Sequence, residues 1–238
     1  MNISHKHKVI WWAPERTGTK ITREIFSKLD FEVYDDKSKD FKDLECRYTS
    51  HSTVIHPEYG DYRLISNVRN PYDKVWSFYC LIVNRNAALN KNLKTKEREM
   101  FNEWVKNVFN SAKLTSELNK MFTPKLEITD KSLLNWRLNG RIPDYFIRME
   151  NLYEDLINLD FVRESSVWNT ESIKELIENN KFKTNRNFKF DEMYDIDSAK
   201  RVYLFYKSHF YLIGYNPFSF TTEELTKEQK VKFLHDTI

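Results

Sequence analysis

Residues 8–22 read Lys8-Val9-Ile10-Trp11-Trp12-Ala13-Pro14-Glu15-Arg16-Thr17-Gly18-Thr19-Lys20-Ile21-Thr22. The apolar run Val9 to Trp12 has strand character and stops before Pro14. After a compact Arg-Thr-Gly-Thr-Lys turn, Ile21, Ile25 and Leu29 recur at helical spacing. A strand, a tight loop and a helix start in that order aim several backbone N–H groups, and the positive end of the helix dipole, at one small volume. Gly18 lets the backbone come close, Thr17 and Thr19 bring hydroxyls, and Arg16 and Lys20 bring charge. The stretch predicts a site for a phosphate-like anion; a structural Thr-Gly-Thr turn is the competing reading. The common triphosphate loop, G-x-x-x-x-G-K-[ST], is broken here. Ala13 stands where its first glycine belongs, and Thr19 separates Gly18 from Lys20.

Outward from that loop, Phe31 to Tyr34 alternates as a second short strand. Arg63-Leu64-Ile65-Ser66-Asn67-Val68 is a third strand, ending at Arg69-Asn70-Pro71, where Asn70 suits a helix cap and Pro71 a first turn. The helix that follows, Tyr72 to about Val83, is nearly all apolar or aromatic after Lys74, with Ser77 as the exception. Residues 84–98 are polar and basic; Met100 to Phe109 reads as an amphipathic helix. Asp144 to Met149 is a further strand and Glu150 to Leu156 opens a helix. Glu171 to Asn179 is a helix, Lys181 to Lys189 a basic loop, and Asp197 to Phe210 one strong helix stopped by Gly214. The tail from Thr222 to His235 reads as an exposed helix.

Strands alternating with helices predict an α/β fold with a mainly parallel sheet flanked by helices. In such sheets ligands sit at the carboxyl ends of strands, near the point where strand order reverses. The Arg16 loop and Arg69 each follow a strand. At 238 residues the chain suits one domain. Its net charge of +3, from 38 basic and 35 acidic side chains, does not call for nucleic acid. The two cysteines, Cys46 and Cys80, have no metal-site spacing. Met1 to Lys8 is polar and lacks the apolar core of a secretory signal. No run approaches the ~18 apolar residues of a membrane span. These features predict a soluble, cytoplasmic protein. The 17 phenylalanines and 13 tyrosines are assigned to core and cleft walls.

The order basic–x–Gly–Thr in Arg16 to Thr19 resembles the 5′-phosphosulfate loop of sulfotransferases. Val68-Arg69-Asn70-Pro71 through Ser77 resembles their 3′-phosphate motif, in which a strand-end Arg is followed by Asn/Asp-Pro and, eight positions on, by a helical Ser. A terminal phosphate suits a guanidinium fork and a short hydroxyl. The two motifs lie in the family's order, about 50 residues apart. Tyr145 to Leu156 is similar to the late strand and Glu-Asn/Asp-Leu segment of carbohydrate-type members, and Tyr203 to Tyr215 to their closing helix. The similarity covers about residues 8–216. Two departures stand out: Pro14 and Gly18 are one residue further apart than in the commonest form, and Arg16 takes the usual Lys position.

The resemblance implies a P-loop-like three-layer fold in a single domain, 1–238. Its core is about 8–216, with a helical insert at about 84–143 and a C-terminal helical tail at 217–238. It implies 3′-phosphoadenosine 5′-phosphosulfate as sulfonate donor, without a metal, and an acceptor hydroxyl on a saccharide. Arg16, Thr17, Gly18, Thr19 and Lys20 would take the 5′-phosphosulfate, and Arg69 and Ser77 the 3′-phosphate. Arg186 in the basic loop is a further 3′-phosphate candidate, with a solvent-exposed charge as the competing reading.

Arg16 and Lys20 would stabilise charge on the leaving group, and a histidine is the natural base for the acceptor proton. Of the six histidines, His5, His7 and His235 fall in expected tails and His209 on the surface of the late helix. His51 and His56 remain, as does the carboxylate of Glu15. His51, flanked by Ser50 and Ser52, is preferred, against an ordinary hydrogen-bonded loop histidine. Two other functions stay open: a P-loop-type small-molecule kinase, and an inactive nucleotide- or glycan-binding module.

Overall fold

The structure, a computed structural model, describes residues 2–14, 17–29, 32–33, 59–82, 94–109, 142–179 and 188–235. The strands are β1 (Asn2–Ser4), β2 (Val9–Trp12), β3 (Glu32–Val33), β4 (Arg63–Val68) and β5 (Tyr145–Arg148). The helices are α1 (Thr19–Phe26), α2 (Pro71–Ile82), α3 (Lys94–Val108), α4 (Leu152–Ile157), α5 (Asp160–Arg163), α6 (Thr170–Glu178), α7 (Ile196–Phe205), α8 (Lys207–Ile213) and α9 (Lys227–His235). The chain divides into two compact units: Met1–Arg69 with Lys131–Lys183, and Asn70–Asp130 with Thr184–Ile238.

The first unit is mixed α/β, built on a five-stranded open sheet of order β3-β1-β2-β4-β5. β2 pairs with β4 and β4 with β5 in parallel, Trp11 beside Ile65 and Ile65 beside Tyr145. β1 is antiparallel to both β2 and β3, so it alone runs against the other four. The mainly parallel sheet read from the sequence is present. Alternation puts Val9, Trp11, Ile65 and Ile147 on one face, where they meet Ile21, Ile25 and Phe26 of α1 and Leu152 and Leu156 of α4. Each such aliphatic side chain taken from water stabilises by about 1.5–3 kcal/mol. The opposite face, with Ile10, Trp12, Leu64 and Ser66, is equally buried. Strands buried on both sides must read as near-continuous apolar runs, and β2 does.

The second unit is helical with an aromatic interior. Trp76, Tyr79, Phe101 and Tyr194 form edge-to-face pairs with centroids 4.9–5.1 Å apart, the arrangement ring quadrupoles favour. α2 starts as the sequence requires: the Asn70 side chain accepts from the Tyr72 N–H at 3.0 Å, behind Pro71 in the first turn. Asn102 of α3 donates to the Met193 carbonyl at 2.8 Å and accepts from the Asp195 N–H at 3.0 Å. Its carboxamide thus satisfies the backbone ahead of α7.

Three expectations are corrected. The N-terminal residues are not a tail, because Asn2–Ser4 pairs on both sides as β1 and His5 and His7 fall in the turn leading to β2. The late helix is not continuous. α7 ends at Phe205, and α8 restarts after Tyr206, whose φ of −102° and ψ of 25° are not helical. That break resets the helical phase and turns His209 inward, so it is 3% exposed rather than on the surface. The exposed C-terminal helix read from the sequence is present as α9, mostly exposed and held through the Phe233 ring, which stacks on Phe220 at 5.2 Å, and by Lys200 Nζ, which donates to the Lys232 carbonyl at 3.1 Å. Among the described residues no helix is long and apolar enough to cross a membrane.

Candidate anion-binding site

The turn after β2 is shaped by three local devices in the first unit. Thr17 Oγ1 donates to the Pro14 carbonyl, and so does Thr19 Oγ1 at 3.3 Å. A carbonyl only accepts, so each hydroxyl's single proton is committed to the loop itself. Gly18 then adopts φ 77° and ψ 21°, a left-handed conformation natural to glycine. A β-carbon there would lie 1.8 Å from Met149 Sδ, just beyond β5, so the same residue is required by a close approach. The Thr22 N–H closes the first helical bond to the Gly18 carbonyl at 3.3 Å.

A fourth device comes from β4. Asn67 is fully buried, and its Nδ2 donates to the Thr17 carbonyl at 2.9 Å and to Thr22 Oγ1 at 2.7 Å. Its Oδ1 accepts from Trp11 Nε1 at 2.7 Å. The indole on one side and the two acceptors on the other leave one orientation of the carboxamide. The first turn of α1 carries no side-chain cap and no acidic residue. By contrast, α6 is capped by Asn169 and α7 by Asp195. An uncapped helix start with Lys20 exposed in its first turn suits an anion. Backbone N–H groups and Lys20 are the candidate donors, and the threonine hydroxyls shape the loop.

Sheet order locates this turn. From β2 the chain leaves through α1 toward β3, on one side of β2, and re-enters as β4 on the other. Strand order therefore reverses between β2 and β4, the position at which open α/β sheets hold ligands. Arg69 follows β4 directly and is half-buried, so it and the Thr17–Lys20 turn leave the carboxyl ends of adjacent parallel strands. Ser77 belongs to the second unit and is buried within α2. Arg16, Glu15, His51, His56 and Arg186 lie outside the described residues.

At the end of β5 a second polar cluster is held in place. Asp155 of α4, 2% exposed, accepts from Arg148 Nε and Nη2 at 2.9 and 2.7 Å and from the Arg148 N–H at 2.7 Å. Tyr145 donates to the Asp155 carbonyl at 2.9 Å, and burial followed by the nearby Asp155 charge raises its phenol above the ordinary value. This pair fixes the strand end that delivers Met149 to Gly18.

Asn67, Met149 and Asp155 are not singled out by motif. Asn67 does carry a signal, being a carboxamide inside a buried strand, where asparagine is disfavoured. No protein-family model, curated protein or solved structure matches this chain.

Proposed function

We propose that the protein is a sulfotransferase that moves the sulfonate of 3′-phosphoadenosine 5′-phosphosulfate to an acceptor hydroxyl on a saccharide. The observation that carries this reading is the loop at the β2/β4 reversal, whose uncapped helix start faces no acidic residue of its own first turn. Arg69 on the neighbouring strand end supplies a second cationic point, as a donor with two separated phosphate positions requires. The sequence motifs around Arg16–Thr19 and Arg69–Ser77 give the choice of donor, and the finer P-loop-like three-layer fold is part of the same proposal.

On this reading the Gly18–Lys20 backbone, Lys20 and Arg16 hold the 5′-phosphosulfate, and Arg69 the 3′-phosphate. The reacting sulfonate spreads charge over its equatorial oxygens, so positioning and electrostatics do most of the work, as in phosphoryl transfer. The acceptor oxygen bonds to sulfur as the bridging sulfur–oxygen bond breaks, and adenosine 3′,5′-bisphosphate leaves. His51 takes the acceptor proton, and Arg16 and Lys20 stabilise the leaving phosphate.

Calorimetry without magnesium tests the donor. Adenosine 3′,5′-bisphosphate should bind clearly more tightly than ATP or AMP. A preference for magnesium-ATP would instead indicate the kinase, and donor binding without transfer to any of a broad glycan panel would indicate a binding module.

A further inference from the structure

We infer that Asn67 is a positioning residue for the transferred group: its carboxamide turns the Thr17–Gly18 peptide so that the Gly18 N–H faces the anion. The inference rests on the anion site proposed above and deepens it. A trans peptide is planar, with its C=O and N–H pointing in opposite directions. Asn67 Nδ2 draws the Thr17 carbonyl toward β4 at 2.9 Å, so the Gly18 N–H of the same plane is directed away from the sheet. Among the described residues that N–H has no backbone acceptor. Buried and orphaned backbone donors are rare, and one left open at a helix start is a ready-made hydrogen bond for a ligand oxygen.

Direction alone does not make the plane rigid; the other two bonds of Asn67 do. Were the carboxamide reversed, its oxygen would face the Thr17 carbonyl and its NH2 the Trp11 N–H, acceptor against acceptor and donor against donor. The 2.7 Å bond from Trp11 Nε1 forbids that state, and the 2.7 Å bond to Thr22 Oγ1 ties the same amide to α1. One buried side chain therefore couples β2, the loop and the helix start. On the far side of Gly18, Met149 blocks the backbone from moving outward. The loop is set before the ligand arrives, which is what an oxyanion site requires.

A merely structural role would weaken every ligand alike, whereas this role is specific to the 5′-group. Adenosine 3′,5′-bisphosphate and adenosine 3′-monophosphate differ only in that group, so the ratio of their dissociation constants isolates the loop. Asn67→Asp keeps the shape but replaces the donating NH2 with an oxygen that repels the Thr17 carbonyl. It should lower the preference for the bisphosphate by about tenfold or more, the scale of one hydrogen bond to a charged group, and leave the monophosphate constant unchanged. Equal loss for both ligands, or no loss for either, would overturn the inference. If Asn67→Asp does not fold, Trp11→Phe removes the bond that orients the carboxamide, together with part of a buried ring, and should reduce the same preference by less; an unchanged preference there overturns it too. If the unmutated protein prefers magnesium-ATP, the donor assignment fails by itself. Inorganic pyrophosphate then becomes the probe, and an Asn67→Asp protein that binds it normally would refute the positioning role. Should the unmutated protein bind neither nucleotide nor pyrophosphate, both ideas fall.

Discussion

Met149 Sδ occupies the space a β-carbon on Gly18 would need, 1.8 Å from its ideal position. Gly214 is the natural control, because its φ of 78° is almost the same as that of Gly18 yet nothing lies within 4 Å of its missing β-carbon. Gly214→Ala should therefore cost only the left-handed strain, about 1–2 kcal/mol. Gly18→Ala should cost more, and Met149→Ala in the Gly18→Ala background should restore part of the loss. Urea unfolding of the unmutated protein, Gly18→Ala, Met149→Ala and the double variant gives the coupling. Equal costs at the two glycines, or strict additivity with Met149, would show that the thioether yields freely.

For Arg69, the expected outcome of Arg69→Ala is weaker binding of adenosine 3′,5′-bisphosphate. The loss should be about tenfold to a few hundredfold, the worth of a charged hydrogen-bond pair. Circular dichroism should show the fold intact, since the side chain is half-buried at a strand end. An unchanged dissociation constant in a folded variant would remove Arg69 from the site.

The Arg148–Asp155 pair should prove structural. Asp155→Ala leaves three donors of Arg148 without their carboxylate and should lower stability by about 2–3 kcal/mol, below the figure for a fully buried pair because Arg148 is partly exposed. Asp155→Asn keeps the shape and one acceptor and should lose less. A shift of the urea midpoint no larger for alanine than for asparagine would contradict this.

Acid should weaken the opposite end of the sheet through Asp160. The Arg63 guanidinium, at 2.9 and 3.2 Å, holds the Asp160 carboxyl below its usual value, and the Phe161 N–H adds to the effect against the opposing influence of burial. A depressed carboxylate stabilises the fold above its unfolded value, near 4, and that contribution disappears as the pH falls through the lower folded value. The stability advantage over Asp160→Asn should accordingly be constant above about pH 5 and shrink below about pH 4. Both side chains are about half exposed, so the effect is small and salt weakens it. An advantage that grew on acidification would contradict the pairing.

The strand–turn–helix from Val9 to Ile25 was legible because its signals are local: an apolar run, a proline, a glycine and a helical repeat. The Asn70 cap and the stop at Gly214 were legible for the same reason. Asn2–Ser4 was not, because three mostly polar residues carry no strand pattern and only pairing with Trp11, Ile10 and Val9 makes them one. His209 was misjudged because a single residue, Tyr206, changes the helical phase. Thr17 and Thr19 were recognised, but nothing in the sequence says that their protons go to Pro14. Asn67 shows the same limit, since its three partners lie 45 to 56 residues away.

That separation has a consequence for synthesis. Trp11 and Asn67 are made 56 residues apart, an interval of about 3–11 s at the usual rates of chain growth. β1 and β2 can pair as a hairpin at once, but the described bonds then holding the turn behind Trp11 are local, from Thr17 and Thr19 to Pro14 and from Thr22 to Gly18. Asn67 is added later, and Met149 later still. The nascent chain therefore makes the Thr17–Lys20 turn early and fixes it late, after β5 has been made.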